Sequence, residues 1–345
     1  MTSRTVQIVG GGPAGSSAAL SALMHGAPVR IIEKSRFPRH KVCGEFLSPE
    51  TCGILNQLQC LDRVRALGPA IIRRMTLHLS GGSRGRWGVG EKRCALPETA
   101  LGLSRYALDQ VLFETAVARG AIPVRECWTG TAPEDNAGNL ILAMGRKATA
   151  PAGNRLFGFK AHFSGPVDDA VELFFFDDCY VGVSAVEGGA TNICGLAPEQ
   201  VLRACGFHPD ELLSRSRALA LRVGPLNRTM PWLTVGPLVF GHALRLPQAE
   251  GIYRTGDALA FTDPFTGSGM LNAMLTGSLA GRAAALNTPV SDYVQHCQRA
   301  LERSFWISSV FRVLLKTGLA PLLAAPVPGR WLMQWTRPAG SFMVA

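Results

Sequence analysis

Residues 6–34 read VQIVGGGPAGSSAALSALMHGAPVRIIEK, and the fold turns on this stretch. Val6 to Val9 is a short β-branched run, followed by the glycines of GGGPAG and by small residues from Ser16 to Met24. The order is strand, tight turn, helix. Gly10 permits the turn, Gly12 lets the backbone approach a pyrophosphate, and Gly15 lets the helix pack closely on the strand. Pro13 and Ala14 belong to the same phosphate-facing fingerprint, where the N–H groups of the helix's first turn meet the anion. A second strand, Pro28 to Ile32, ends at Glu33 and Lys34. Glu33 stands near the spacing at which an acid accepts hydrogen bonds from an adenosine ribose, and it would repel a 2′-phosphate. The unit predicts a bound dinucleotide. It leaves NAD and FAD open, because both present the same ADP half.

A second stretch selects FAD. Ile252 to Gly281 reads IYRTGDALAFTDPFTGSGMLNAMLTGSLAG. A strand over Gly251 to Thr255 delivers Gly256 and Asp257, and a loop containing Pro264 leads through Gly267 and Gly269 into a long helix of small and apolar residues. Asp257 is placed to accept hydrogen bonds from ribityl hydroxyls or to lie beside the pyrophosphate. The N–H groups of Gly267, Ser268, Gly269, Met270 and Leu271, at a helix start, would face the flavin N1 and C2 carbonyl, where negative charge gathers on reduction. Two glycine-rich helix starts then share one extended FAD.

Taken together, GGGPAG, Glu33, PRHKVCGEFLS, SRYALD and the GD…DPFTGSGM helix resemble the geranylgeranyl reductase-like branch of the flavoproteins, which stands with para-hydroxybenzoate hydroxylase-type monooxygenases and flavin-dependent halogenases. The resemblance runs from about Val6 to Gly281. It implies that Arg105, at the start of a helix over Arg105 to Arg119, contacts FAD, and that Lys41, Cys43 and Gly44 lie on a loop against the flavin. By residue chemistry alone, Arg105 reads equally as a surface arginine, and Cys43 reads as an ordinary packed thiol. Relatives carry an Ala-Asp-Gly segment where this chain has Gly145, Arg146 and Lys147 after a strand over Asn139 to Met144. The basic pair either contacts phosphates or forms an exposed turn. The tryptophan-containing halogenase signature with its lysine is not recognisable, which argues against halogenation. The Tyr-Trp-Pro strand of many isoprenoid reductases is replaced by Asp178 to Val186.

The chain's 345 residues suffice for two domains, and 47% hydrophobic content with 17% charge describes a globular protein. Its net charge of +10 suits an anionic cofactor, an anionic lipid or nucleic acid. The basic residues are scattered singly or in pairs such as Arg73 and Arg74, with no cluster interleaved with aromatics, so no nucleic-acid partner is expected. Nine cysteines, an odd number without a CxxC pair, predict reduced thiols and neither a disulfide framework nor a metal site. No charged leader with a cleavable apolar stretch precedes the first strand, so a cytoplasmic location is expected.

The expected architecture is α/β: a discontinuous Rossmann-type FAD-binding domain (1–150 and 250–290), an inserted antiparallel β-sheet substrate domain (151–249 with part of 70–100), and C-terminal helices (291–345). FGFKAHF, VELFFF and YVGVSAV supply the antiparallel strands. His162, in the first of them, could face the flavin as an acid or base, or be a packed, hydrogen-bonded histidine. In the tail, Trp306, Val310, Phe311, Leu314, Leu315 and Leu319 form an apolar stripe too short to span a bilayer. It either packs on the domain or rests on a membrane surface as a peripheral contact. The expected function is an FAD-dependent monooxygenase, with NADH or NADPH as transient donor because no second dinucleotide fingerprint is visible. A hydrophobic aromatic or polyketide-like small molecule is the expected substrate. The alternatives are a reductase saturating isoprenoid C=C bonds and a non-catalytic or electron-passing, membrane-docked flavoprotein.

Overall fold

β1 (Val6–Val9) is the middle of a parallel sheet, with β2 (Val29–Ile32) and β6 (Ile122–Val124) on one side and β7 (Leu140–Leu142) and β14 (Ile252–Arg254) on the other. The structure, a computed structural model, describes residues 5–79, 90–130, 139–145, 155–238, 240–242, 244, 249–261 and 267–302. Parallel sheets need both faces covered, and Ile8 and Ile31 are accordingly fully buried. The helix after β1, α1 (Pro13–Met24), begins inside the glycine fingerprint, since Pro13 lacks only an N–H that the first turn leaves unpaired anyway.

The pairing of α1 with α8 (Gly269–Ala285) fixes the geometry of this domain. A Cβ at Gly277 would stand 2.2 Å from the Ala14 carbonyl oxygen, and one at Gly281 would stand 2.1 Å from that of Ala18. The two helices therefore touch backbone to backbone. α2 (Pro49–Gln57), α3 (Leu61–Arg65) and α4 (Arg105–Ala118) complete the same core through Leu55, Val64 and Leu112. Residues 290–302 are helical and pack there too, through Tyr293, Cys297 and Leu301. The rest of the tail, including the apolar stripe from Trp306 to Leu319, lies outside the described residues. Among the described residues, no helix is long and apolar enough to cross a membrane.

A second sheet is built from β3 (Phe46–Leu47), β4 (Ala70–Leu79), β5 (Gly90–Gly102), β8 (Leu156–Ser164), β9 (Ala170–Phe176), β10 (Cys179–Ala185), β11 (Thr191–Pro198) and β12 (Asn227–Arg228), with β13 (Leu233–Leu238) added on β8. Its order is β12-β8-β11-β10-β9-β4-β5-β3. A wholly antiparallel sheet was expected, but β4 and β9 run parallel. They enter from two separate excursions of the chain, so no hairpin dictates their direction. α5 (Glu199–Ala204), α6 (Pro209–Ser214) and α7 (Arg217–Val223) cover one face, where Leu202, Leu212 and Leu219 meet Phe159, Phe163 and Phe174.

The other face follows from the register. Lys160 pairs with Cys194 and His162 with Asn192; Cys194 pairs with Gly182, Gly182 with Leu173, and Leu173 with Leu77. Directly paired residues share a face. This face is thus polar on β8 and β11 and apolar on β9 and β4. β8 and β3 lie near opposite ends of the strand order, yet Asn192 Nδ2 donates to the Cys43 carbonyl at 3.0 Å and a Cβ at Gly158 would stand 3.2 Å from Val42. The sheet curls until the segment before β3 closes over it.

Candidate active site

At the first turn, Gly10 has φ of +104° and Gly15 could not carry a Cβ, which would stand 1.7 Å from the Gly10 oxygen. Gly12 is different. A Cβ there would meet only guanidinium nitrogens, Arg105 at 3.7 Å and Arg39 at 3.9 Å. Two cations therefore hang over a helix start whose N-cap offers no side-chain hydrogen bond. Lys41 joins them: partial burial and then the charges of Arg39 and Arg105 lower its pKa. Like charges gathered on an uncapped helix start could hold an anionic group such as a diphosphate.

Glu33 is buried and ties the turn together, accepting from the N–H groups of Gly11 (2.8 Å) and Ser35 (2.8 Å) and from Arg39 at 3.2 Å. Lys34 beside it is exposed. Arg105 is gripped by Asp109, with Nη2 at 2.8 Å from Oδ2. Burial opposes its charge, but Asp109 outweighs burial and raises the pKa.

At the second turn, Gly256 has φ of +59° and a Cβ there would stand 2.8 Å from the Ala14 side chain. The two glycine turns are immediate neighbours. Asp257 follows and is exposed. Gly267, at φ +63°, directs the chain into α8 after the buried Ser268, whose side chain makes no cap, and Gly269 opens the helix ahead of buried Met270 and Leu271. Pro264 lies outside the described residues, as do Arg146 and Lys147. Gly145 has φ of +76° with open space around it.

PRHKVCGEFLS bridges the two domains. Phe46 lies against the second turn, 3.2 Å from a Cβ built on Gly267. Gly44 is exposed, and the partly buried Cys43 has its thiol pKa raised by burial. Between Gly44 and Phe46 sits Glu45, fully buried, with φ of +56°. A left-handed L-residue costs roughly 1–2 kcal/mol. The surroundings hold it there. Its Oε1 accepts from the Arg105 N–H at 2.7 Å and from the Lys160 ammonium, and its Oε2 is 2.6 Å from His162 Nε2. Its carbonyl accepts from the Leu103 N–H at 3.1 Å.

Burial alone would raise the Glu45 pKa, but His162 and Lys160 outweigh it and hold the carboxyl below its ordinary value. His40 stands edge-on to His162, with ring centroids 5.3 Å apart, and beside exposed Tyr106 at 4.8 Å. Burial, then Lys160 and His162, lowers its pKa. His40, Glu45 and His162 also lie close enough to share a metal ion. The Lys160 ammonium already neutralises the same carboxylate and opposes a second cation.

Sequence reasoning named His162 but missed Arg39, His40, Glu45, Phe46 and Lys160. One signal was available: Lys160 and His162 alternate in FGFKAHF, which puts two proton-bearing groups on one sheet face.

These features define a Rossmann-type flavoprotein fold: two neighbouring glycine turns at helix starts, with a curled second sheet beside them. Residues 3–138 match the FAD binding domain family. Menaquinone reductase of Mycobacterium tuberculosis is 46% identical over 56 residues, 16% of this chain and 14% of that protein. Digeranylgeranylglycerophospholipid reductase of Methanosarcina mazei is 24% identical over 325 residues, covering 81% of this chain and 74% of that one. The flavin-dependent brominase Bmp2 shares the fold at a TM-score of 0.76 and 17% identity, over 96% of this chain and 93% of that one. Residues 3–138 thus match an FAD binding domain, and the chain is similar over most of its length to a reductase of the same kind.

Proposed function

We propose that the chain is a monooxygenase that takes electrons from NADH or NADPH and hydroxylates a hydrophobic aromatic or polyketide-like compound bearing an acidic hydroxyl. The carrying observation is the geometry of the curled sheet's inner face, where His162 Nε2 stands 2.6 Å from the buried Glu45 carboxylate and His40 lies edge-on to His162. The pKa values of His40 and Glu45 are both lowered. Removing a phenolic proton makes an aromatic ring electron-rich, which assists oxygen transfer to it. Protonating a C=C bond would instead need a group that holds a proton to donate, which the lowered pKa values disfavour.

The residues present fit FAD: Gly12, Arg39, Lys41 and Arg105 at its diphosphate, and the uncapped start of α8 with Phe46 at its ring end. Bound FAD would supply the electron transfer and oxygen chemistry. The chain's own part is to bind, orient and exclude water. Apolar Leu77, Val171, Leu173 and Phe175, grouped with Phe46, would take the hydrocarbon part of the substrate, while His162 on the same sheet face would meet its polar end.

The names of both sequence relatives favour a second reading, reduction of C=C bonds in a prenyl chain. Purified protein should be yellow and release FAD on denaturation. In air with NAD(P)H, phenolic substrates should then drive oxygen consumption and incorporate an oxygen atom. Anaerobic saturation of a prenyl quinone, with no oxygenated product in air, would reverse the order.

A further inference from the structure

His162 and Glu45 come from segments more than a hundred positions apart, yet Nε2 and Oε2 stand 2.6 Å from each other. An ionised carboxylate can only accept, so His162 must carry its proton on Nε2. That fixes the tautomer and leaves the Nδ1 lone pair on the other side of the ring, where it has no hydrogen-bond partner among the described residues. Every other bond that Glu45 makes holds it in place. The Arg105 N–H fixes Oε1 at the start of α4, and Lys160, itself fully buried, closes the remaining side. Such a geometry, with a buried carboxylate behind an imidazole, is that of a base and the group that orients it.

We infer that His162 is the catalytic base of this site, taking the substrate's hydroxyl proton on Nδ1, with Glu45 and Lys160 as positioning residues. The inference rests on the reading of the sheet's inner face as the substrate surface. In the step, the substrate O–H bond breaks, its electron pair stays on oxygen as phenolate, and the proton becomes the N–H of a His162 imidazolium. The phenolate is the counter-charge of that imidazolium, and Glu45 holds Nε2 in place across the 2.6 Å contact. His40, partly buried beside Tyr106, stands edge-on to His162. The other ionisable groups facing the pair are Cys194 on β11, Cys43 before β3, Arg105 with Asp109 on α4, and Glu187, which accepts from the Ser104 N–H at 2.7 Å. Burial raises both thiols, which keeps them neutral, and Arg105 is matched by Asp109.

Two measurements on the FAD-loaded protein test this without turnover. In protein labelled with ¹⁵N-histidine, neutral His162 should appear as the Nε2–H tautomer. With 4-nitrophenol as probe, the bound phenol should ionise about one pH unit below the free phenol, a tenfold shift in its equilibrium. His162→Gln should abolish the shift while the protein stays yellow. Glu45→Gln alone would strand the Lys160 charge, so the informative variant is Glu45→Gln with Lys160→Met; it should populate the Nδ1–H tautomer and reduce the shift, which a purely structural role would not do. An Nδ1–H tautomer in the wild type overturns the assignment. So does a nitrophenol spectrum unchanged by His162→Gln, or nitrophenol that leaves the His162 resonances unmoved. Oxygenated product is not read in either experiment, so a failure of the monooxygenase reading is scored separately.

Discussion

Gly277→Ala tests whether the backbone contact between α1 and α8 sets the spacing of the two glycine turns. A Cβ at Gly277 would stand 2.2 Å from the Ala14 oxygen and 3.0 Å from its carbonyl carbon. Ordinary contact begins at 3.4 Å, so the helices must part by about 1.2 Å, the difference between 3.4 and 2.2. Overpacking costs about 1–3 kcal/mol. Here the obstacle is main chain rather than a flexible tip, which puts the cost at the upper end, about 3 kcal/mol. Alanine is a better helix former than glycine by about 1 kcal/mol. The net loss is then about 2 kcal/mol, roughly thirtyfold in the folding equilibrium. Gly53→Ala in α2 is the control, because nothing lies within 4 Å of a Cβ there, and it should be stabilising. Ala14 belongs to the first turn of α1, so the same displacement reaches the diphosphate cradle. Losing one charge-assisted hydrogen bond costs about 1.5–3 kcal/mol, which weakens FAD binding by roughly ten- to hundredfold. Urea unfolding of the apoprotein and titration of flavin fluorescence read the two effects. Equal stability of Gly277→Ala and Gly53→Ala would refute the packing argument, and lost stability with unchanged FAD affinity would refute the coupling.

Lys41→Met should leave the apoprotein within about 0.5 kcal/mol of wild type, since it relieves crowding with Arg39 and Arg105, while FAD binding weakens about tenfold and loses part of its salt dependence; calorimetry at two ionic strengths checks this. Lys160→Met leaves Glu45 buried without its counter-charge and should cost about 3–5 kcal/mol, whereas adding Glu45→Gln recovers much of it; urea midpoints of the single and double variants decide. The Glu45 carboxyl binds its proton more weakly folded than unfolded, so its contribution to stability is complete above pH 4.5 and is lost as the pH falls through the lowered folded value. The double variant should therefore show a flatter stability profile below pH 4.5 than wild type.

The parallel sheet and both glycine turns were legible because each is local. Val6–Val9, the turn at Gly10 and the helix behind it fall within one short run, and so do Gly256 and the start of α8. Turn geometry requires particular residues at fixed offsets, and sequence displays offsets directly. The parallel pairing of β4 with β9 was not legible, since it depends on how two distant excursions enter one sheet. Arg39 was hidden for a different reason. An arginine after a proline reads as surface, and only the fold brings its guanidinium over Gly12.

Glu45 shows most clearly how a functional group escapes sequence reading. By local preference, the position after Gly44 with φ of +56° belongs to glycine or asparagine, and by composition a glutamate belongs in water. Both preferences are overridden, and the compensation lies wholly in tertiary contacts: the Arg105 N–H, Lys160, His162 and the Leu103 N–H. A glycine would relieve the backbone strain but would leave Lys160 as a buried unpaired charge and His162 without a fixed tautomer. Backbone strain that persists against a cheaper alternative implies that the side chain, rather than the turn, is what the position requires. The carboxylate at the seam where the second sheet curls back on itself is on that argument the element around which the β8–β3 closure is built.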